Sequence, residues 1–280
     1  MIGSASAPAS SGNIGPGFDV LALALGLRCT ATAELAESMT ISENGSTRRL
    51  DEDDMISKAV RMAVHRPMHI TIDNQIPRAR GLGSSSAVTA AAAGAAMKAV
   101  GGGGGKAEIF SIVDRLEGHA DNAAAAVFGG LVVATSSGVQ RLDIHESLLP
   151  VVAIPDAQLH TAEARAALPP EVARPTVVRS LARLAFLMEG LRSANGEALM
   201  NAAGDELHEE PRAALSPITG DLMEAARKAG AVHVCWSGAG PTALALTTSA
   251  TIGRVIGALS AALGPHGQVL SLPIDTDGLK

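Results

Sequence analysis

Aromatic side chains are scarce in this sequence, and positive charge is not in excess. The 280 residues include four phenylalanines, one tryptophan and no tyrosine, and the net charge is −6. Proteins that bind single-stranded nucleic acid stack its bases on aromatic rings, and binding to a polyanion requires an excess of basic groups. We therefore expect no nucleic-acid partner.

Cysteine and long apolar runs are also scarce. The two cysteines, Cys29 and Cys235, are too few for a disulfide framework and fit a reducing compartment. No apolar segment of about 20 residues suggests a membrane span. The first residues lack the basic segment and apolar run of a secretory signal. These absences predict a cytoplasmic protein without a membrane partner.

The mixture of local patterns along the chain predicts an α+β fold. Residues 68–72 alternate between apolar and polar side chains, as a half-buried strand does. Residues 87–100, 174–193 and 198–207 have the composition and spacing of helices. Five consecutive glycines at 101–105 predict a turn, because no regular element holds such a run.

The length of the chain allows one large domain or two of ordinary size. An apolar segment at 150–154 is followed by Pro155 and then by a new mixture of strand and helix patterns. This change predicts a boundary near residue 150, which divides the chain into domains 1–150 and 151–280.

The segment Gly-Leu-Gly-Ser-Ser-Ser-Ala at 81–87 is the most informative feature of the sequence. Its glycines let backbone N–H groups approach an anion, and the alanine-rich run after it favours a helix. Because a helix N-terminus has unpaired donors and a partial positive charge, phosphate binding is one interpretation. The other interpretation is that these small residues only cap the helix and allow close packing. The segment matches neither a Walker A loop nor a dinucleotide fingerprint.

Two further clusters of polar residues are candidate ligand sites. Asn13 and Asp19 lie in a loop with three glycines, where an Asx-turn is the alternative interpretation. Residues 117–122, Glu-Gly-His-Ala-Asp-Asn, place polar side chains at the start of an apolar run, where they must be satisfied or functional. Glu117 offers the oxygen ligands that Mg²⁺ prefers.

Two arginines and a second glycine loop complete the set. Arg165 and Arg212 carry the planar guanidinium that binds carboxylates in a fork-like manner, although most arginines only solvate a surface. Residues 237–242, Ser-Gly-Ala-Gly-Pro-Thr, either support a ligand or form a plain turn.

The order of these segments resembles the motifs of the GHMP small-molecule kinases. The three matching segments are Pro-Ala-Ser-Ser-Gly-Asn-Ile-Gly-Pro-Gly-Phe-Asp at 8–19, Ile-Pro-Arg-Ala-Arg-Gly-Leu-Gly-Ser-Ser-Ser-Ala at 76–87 and Trp-Ser-Gly-Ala-Gly-Pro-Thr at 236–242. Segments 117–131, 161–169 and 205–212 are similar to the homoserine kinase branch of that family. The resemblance runs from about residue 7 to residue 246.

The resemblance implies a two-domain α+β fold and a phosphotransferase activity. The N-terminal domain would be similar to ribosomal protein S5 domain 2 and bind the nucleotide, and the C-terminal domain would be ferredoxin-like. The implied reaction transfers the γ-phosphoryl group of ATP, with Mg²⁺, to the side-chain hydroxyl of L-homoserine, on the route to threonine. A homodimer is possible. Two alternatives stay open: a related kinase that acts on shikimate or a mevalonate-like alcohol, and a non-catalytic ligand sensor.

Matching positions assign roles to individual residues. The nucleotide would contact Pro77, Arg78, Ala79, Arg80, Gly81, Leu82, Gly83, Ser84, Ser85, Ser86 and Ala87. Mg²⁺ would bind Ser85, or alternatively Ser84 or Ser86, together with Glu117. The homoserine pocket would contain Asn13, Asp19, His119, Asn122, Arg165, Arg212 and Gly238.

The resemblance leaves the proton acceptor open. Relatives such as mevalonate kinase are similar but have an aspartate where this chain has Asn122, and an amide cannot act as a base. Asp19 is then the nearest carboxylate candidate for contact with the hydroxyl. We therefore hypothesise that transfer depends on positioning by the candidate catalytic residues Asp19, Asn122, Ser85 and Glu117, with the proton leaving late, to phosphate.

Overall fold

The first half of the chain forms a seven-stranded sheet. The computed structural model describes residues 1–102 and 105–280, so the predicted glycine turn lies partly outside the described residues. The strands of the sheet are β1 (Gly3–Gly12), β2 (Leu21–Leu35), β3 (Thr40–Glu43), β4 (Ser46–Arg49), β5 (Met68–Asn74), β6 (Leu131–Thr135) and β7 (Gly138–Leu142). The sheet has the order β4-β3-β5-β2-β6-β7, and β1 pairs with β2.

The long strand β2 organises this sheet. Antiparallel β1 pairs along it from Gly3–Ala33 to Gly12–Ala22. The other edge of β2 pairs first with β6, at residues 21–23, and then with β5, at residues 29–35. One strand therefore connects the region around the first glycine loop to the rest of the sheet.

An alanine-rich helix packs against β1 and β2. The helices of this half are α1 (Met55–Val64), α2 (Ser84–Ala99), α3 (Lys106–Glu117) and α4 (Ala120–Phe128). Nearly all of α2 is buried, as expected for a helix that is apolar on every side. The backbones of α2 and β1 approach each other closely. A Cβ atom at Gly3 of β1 would lie only 2.1 Å from the carbonyl oxygen of Ala95 in α2.

The second half of the chain forms a four-stranded antiparallel sheet of order β11-β8-β10-β9. Along the chain, strands and helices alternate in the β-α-β-β-α-β succession of a ferredoxin-like unit. The strands are β8 (Leu149–Pro155), β9 (His233–Trp236), β10 (Ala243–Thr247) and β11 (Gly267–Ser271). The helices are α5 (Thr161–Ala166), α6 (Arg174–Ser193), α7 (Gly196–Asn201), α8 (Glu209–Arg212), α9 (Pro217–Lys228) and α10 (Ile252–Leu263). The predicted α+β class is confirmed.

The last residues return to the first sheet. The N–H group of Gly26 donates to the carbonyl of Pro273 at 2.9 Å, and the backbones of Ser6 and Lys280 exchange hydrogen bonds of 3.1 and 2.9 Å. The side chains of Arg28 and Asp275 form an ion pair beside them. Across the described ranges, no helix is both long and apolar enough to cross a membrane.

Candidate active site

The three glycine-rich loops meet at one cavity of about 120 Å³. Residues from the loop after β1, the start of α2, the end of α3, the start of α4, α5 and α8 surround it. Most of the predicted site residues line its wall: Asn13, Asp19, Pro77, Ala79, Arg80, Gly81, Leu82, Gly83, Ser84, Ser85, Ser86, Glu117, His119, Asn122, Arg165, Arg212 and Gly238. Arg78 and Ala87 are not part of this wall. Ala87 is buried within α2.

The N-terminus of α2 opens into the cavity. The helix begins at Ser84, three residues before the predicted start, and its N-cap is Gly83 with a left-handed φ of 63°. No side chain caps this end, so the first-turn N–H groups remain available to a ligand. These donors and the helix dipole make this end of the cavity chemically suited to an anion.

Glycine is required in this loop because other backbone and side-chain groups approach it closely. A Cβ atom at Gly81 would lie 2.1 Å from the carbonyl oxygen of Ser237, and one at Gly83 would lie 2.0 Å from Oγ of Ser10. The hydroxyl of Ser237 also donates to the carbonyl of Gly81 at 2.8 Å. The two glycine loops therefore support each other directly.

The three serines of the loop differ in their hydrogen bonds. Oγ of Ser84 accepts from the side-chain amide of Asn74 at 3.0 Å and donates to the carbonyl of Ile76 at 3.3 Å. Ser85 is exposed, and its hydroxyl donates to the sulfur of Met55 at 3.3 Å. Ser85 is therefore freer than Ser84 to bind a ligand.

Glu117 provides a carboxylate at the end of α3. Its Oε1 atom is buried and accepts no hydrogen bond from the part of the chain that the structure describes. Because Glu117 and Ser85 line the same cavity, they form a pair of oxygen donors that fits a hard cation. No group of three or more His, Cys, Asp or Glu side chains suited to a metal occurs within residues 1–102 and 105–280. Mg²⁺ needs no such group, since it keeps water and phosphate ligands.

Asn13 and Asp19 are held by partners from the second half of the chain. The amide of Asn13 donates to the carbonyl of Gly238 at 2.9 Å and accepts from the backbone N–H of Asp19 at 3.0 Å. The carboxylate of Asp19 accepts two hydrogen bonds from the guanidinium of Arg165, at 2.8 and 2.9 Å. This bidentate pair raises the pKa of Arg165.

Arg212 is a buried cation. Its side chain is only 2% exposed, and it donates to the carbonyl of Ala164 at 3.0 Å and approaches Nδ1 of His208 at 3.2 Å. Among the described residues, no carboxylate lies within 4.0 Å of its nitrogens. Burial lowers its pKa. A buried guanidinium that lacks a counter-ion at the wall of a cavity is suited to bind an anionic ligand group.

Phe18 and His208 are site-forming residues that the sequence did not reveal. Their rings stack with centroids 5.2 Å apart. The guanidinium carbons of Arg212 and Arg165 lie 5.5 and 5.9 Å from the centroid of the Phe18 ring, within the range of a cation–π interaction. The only local signal was an aromatic residue beside Asp19 in a chain with few aromatics.

Three polar side chains at the start of α4 also line the cavity, those of His119, Asp121 and Asn122. Asn122 accepts from the hydroxyl of Ser10 at 2.8 Å and donates to Asp121 at 3.2 Å. Asp121 is 2% exposed, and burial raises its pKa. Nδ1 of His119 is buried without a partner in the described part of the chain. The sequence included Asp121 in the polar cluster at 117–122 and assigned it no individual role.

Arg78 and Arg80 have structural partners. Arg78 forms a salt bridge of 2.6 Å with Glu43. Arg80 donates to the carbonyls of Pro155 and Arg78 at 2.8 Å and of Asp156 at 2.5 Å. These bonds connect the segment just before the glycine loop at 81–87 to the end of β8. Arg80 therefore links the first half of the chain to the second sheet and also lines the cavity.

Comparison with known proteins identifies the family. The family models described as "GHMP kinases N terminal domain" and "GHMP kinases C terminal" match residues 54–130 and 186–265. A homoserine kinase of Deinococcus radiodurans is 35% identical over 97% of this chain and 94% of its own. One from Thermus thermophilus is 38% identical over 95% and 94%.

The chain belongs to the homoserine kinases of the GHMP kinase family. Among solved structures, the homoserine kinase of Cytophaga hutchinsonii has the same fold, with a TM-score of 0.91, 24% identity and coverage of 100% of this chain and 96% of that one. A mevalonate kinase shares the fold at a TM-score of 0.74 and 12% identity, over 99% of this chain and 100% of that one. The predicted two-domain GHMP kinase fold is confirmed.

Proposed function

We propose that this protein catalyses the ATP-dependent phosphorylation of the side-chain hydroxyl of L-homoserine to O-phospho-L-homoserine, a step of threonine biosynthesis. One observation carries the proposal: a single cavity contains both an uncapped helix N-terminus and the buried guanidinium of Arg212, which has no carboxylate partner in the described chain. The first group suits a phosphate and the second a carboxylate. Membership of the homoserine kinases supports the same substrate pair.

The loop at 81–87 is proposed to bind the triphosphate of ATP. The first-turn N–H groups of α2 and the left-handed Gly83 provide backbone donors without a steric barrier. Ser85 and Glu117 are the side chains that would hold Mg²⁺, because one is exposed and the other has an unpartnered buried oxygen. A bound Mg²⁺ would neutralise charge on the phosphates.

The amino-acid substrate is proposed to bind between Arg212 and the start of α4. Its carboxylate would pair with Arg212, and with Arg165 if that side chain shifts part of its bonding from Asp19. Asp19 would also attract the ammonium group. The remaining wall of this pocket is formed by Asn13, His119, Asn122 and Gly238.

No side chain is proposed as a strong general base. Both oxygens of Asp19 accept from Arg165, so the carboxylate is already engaged in a bidentate pair with that guanidinium. Asn122 cannot accept the proton as a base. Alignment of hydroxyl and phosphate therefore accounts for most of the proposed catalysis, and the proton leaves late, to phosphate.

An assay of ADP release tests the function. Homoserine, shikimate and mevalonate are each supplied with ATP, with and without Mg²⁺. Turnover of homoserine that requires Mg²⁺ is expected. Faster turnover of shikimate or mevalonate would assign the protein to another acceptor, and binding of homoserine without turnover of any acceptor would support a ligand sensor.

Three further aspects of the protein are also proposals. The division into domains 1–150 and 151–280 is supported by the change of sheet between β7 and β8, although the last residues pack on the first sheet. The homodimer and the cytoplasmic location remain predictions.

A further inference from the structure

The first glycine loop has an unfavourable backbone conformation. Asn13, Ile14 and Gly15 all have positive φ, of 71°, 51° and 77°. Asparagine and glycine tolerate this region, but a β-branched residue such as Ile14 rarely adopts it. Ile14 is also fully buried. Such a conformation persists only where surrounding contacts hold it in place.

Two buried histidines hold the carbonyls of this segment. Nε2 of His233 lies 3.3 Å from the carbonyl oxygen of Ile14, and Nε2 of His208 lies 2.9 Å from that of Gly15. His233 is on β9 and His208 precedes α8, so both contacts come from the second half of the chain. Consecutive carbonyls are therefore fixed from one side.

The protonation state of His233 suits it to donate. Its side chain is buried, and burial lowers its pKa to about 4. The neutral ring has one N–H, which must be on Nε2 to bond the carbonyl of Ile14. Nδ1 then has only acceptor character, and it has no partner within the described residues. Among the described residues, the hydrogen bond to the carbonyl of Ile14 is thus the one polar contact of the His233 ring.

The held segment is directly connected to the candidate substrate pocket. Asn13 precedes Ile14, and its side chain fixes the backbone of Asp19 at 3.0 Å and reaches Gly238 at 2.9 Å. Asp19 in turn orients Arg165. A change in the backbone at Ile14 would therefore move Asn13 and Asp19 together, whereas the N-terminus of α2 is held separately by the hydrogen bond from Ser10 N–H to the carbonyl of Leu82.

We propose that His233 is a positioning residue for the amino-acid substrate: its Nε2–H holds the carbonyl of Ile14, so that Asn13 and Asp19 keep the geometry that binds homoserine. This inference rests on the proposed function. It assigns a role in acceptor binding to a residue outside the cavity wall. It also predicts that the acceptor site and the nucleotide site respond differently to changes at His233.

Two amide variants that differ in reach test the proposal. In His233→Gln the amide nitrogen can occupy the place of Nε2, whereas in His233→Asn it is too short to reach Ile14. We expect His233→Asn to raise the KM for homoserine and its Kd in calorimetry without ATP by about tenfold, the effect of one lost buried hydrogen bond. The KM for ATP should stay within about twofold, and His233→Gln should restore values near those of the wild type.

Val255→Ala is the control for stability, because Val255 is buried in the core of the second sheet away from the loop. It should lower the Tm and leave both KM values unchanged. Equal KM values for homoserine in the two amide variants would overturn the proposal, as would a parallel rise of both KM values in His233→Asn. Absence of homoserine turnover in the wild type would instead refute the proposed function, and the calorimetric comparison would still test the role of His233 in binding.

Discussion

At the scale of single residues, the pairing of Asp19 with Arg165 determines what Asp19 can do. A general base contributes about 10²–10⁴-fold to a rate, but its carboxylate must be oriented towards the proton. Both carboxylate oxygens of Asp19 are bonded to Arg165 at 2.8 and 2.9 Å. The observed geometry therefore supports a positioning role.

The variant Asp19→Asn tests this role. We expect kcat to fall by less than about 100-fold and the KM for homoserine to rise, since Asn keeps the shape but loses the charge that pairs with Arg165. Steady-state kinetics over a range of homoserine concentrations gives both values. A fall of kcat by several orders of magnitude would instead identify Asp19 as a base.

Arg212 provides a second prediction at this scale. Replacing it by alanine should lower kcat/KM for homoserine, because the carboxylate of the substrate would lose its buried partner. The loss of transition-state stabilisation should be roughly 2–5 kcal/mol. The analogue 3-aminopropan-1-ol has the amine and the hydroxyl but no carboxylate, so its low turnover should change little. An equal loss for both acceptors would show that Arg212 supports only the fold of the pocket.

At the scale of elements, the start of α2 differs from its prediction in an informative way. The sequence predicted a helix from residue 87, because the alanine-rich run begins there. The observed helix begins at Ser84, after Gly83 in the left-handed region. Gly83 ends the loop sharply and thus lets the three serines form the first turn, whereas α6 has the predicted bounds, Arg174–Ser193.

Helix α7 ends before the predicted residue 207, at Asn201. Gly204 adopts a positive φ of 82°, and Oδ1 of Asp205 accepts from the N–H groups of His208 and Glu209 at 2.6 and 3.2 Å. This side chain starts a new turn that carries Arg212 to the cavity. Apolar spacing alone cannot predict the interruption, because it involves hydrogen bonds between a side chain and the backbone.

Gly83→Ala is expected to damage the phosphate loop, and Gly45→Ala is its matched control. Both glycines have positive φ, 63° and 76°, but a Cβ atom meets Oγ of Ser10 at 2.0 Å in the first case and nothing within 4 Å in the second. The free energy of unfolding of the control should fall by only about 1–2 kcal/mol, the cost of a left-handed backbone conformation for alanine. That of Gly83→Ala should fall further, and its KM for ATP should rise by about tenfold or more.

Unfolding in urea and the kinetics of ATP use provide the two measurements for these glycine variants. The same KM for ATP in Gly83→Ala and in the wild type would contradict the assignment of this loop to the triphosphate. Equal stability losses in the two variants would show that Ser10 yields to the added methyl group.

At the scale of the whole molecule, buried ionisable groups make the stability dependent on pH. Burial raises the pKa of Glu209 from 4.5 to about 8, so the folded protein retains a proton that the unfolded chain releases between these values. The stabilisation is complete below pH 4.5 and is lost as the pH rises through 8. His233 has the opposite effect, since its pKa falls from 6.5 to about 4, and its contribution is lost as the pH falls below 6.5.

Between pH 6.5 and 8 only Glu209 of these two groups contributes to the slope. The free energy of unfolding of Glu209→Gln should therefore fall less steeply with pH than that of the wild type, by up to about 1.4 kcal/mol per unit. Glutamine can still accept from the N–H of Trp236, as Oε1 of Glu209 does at 2.8 Å. Glu210→Gln, at an exposed neighbouring site, should keep the wild-type slope. Identical slopes in all three proteins would mean that Glu209 is ionised when folded.

The sequence by itself determined the α+β class, the three glycine loops and their order, and these were enough to indicate the family. Such features are local, because backbone conformation, helix propensity and loop chemistry depend on neighbouring residues. Only the tertiary structure decided which distant groups meet: Asp19 with Arg165, Ile14 with His233, and Arg80 with the end of β8. It also decided that Arg212 lacks a carboxylate partner within the described chain. Such pairings depend on how the two halves of the chain meet in space, and the local pattern of the sequence contains no information about that.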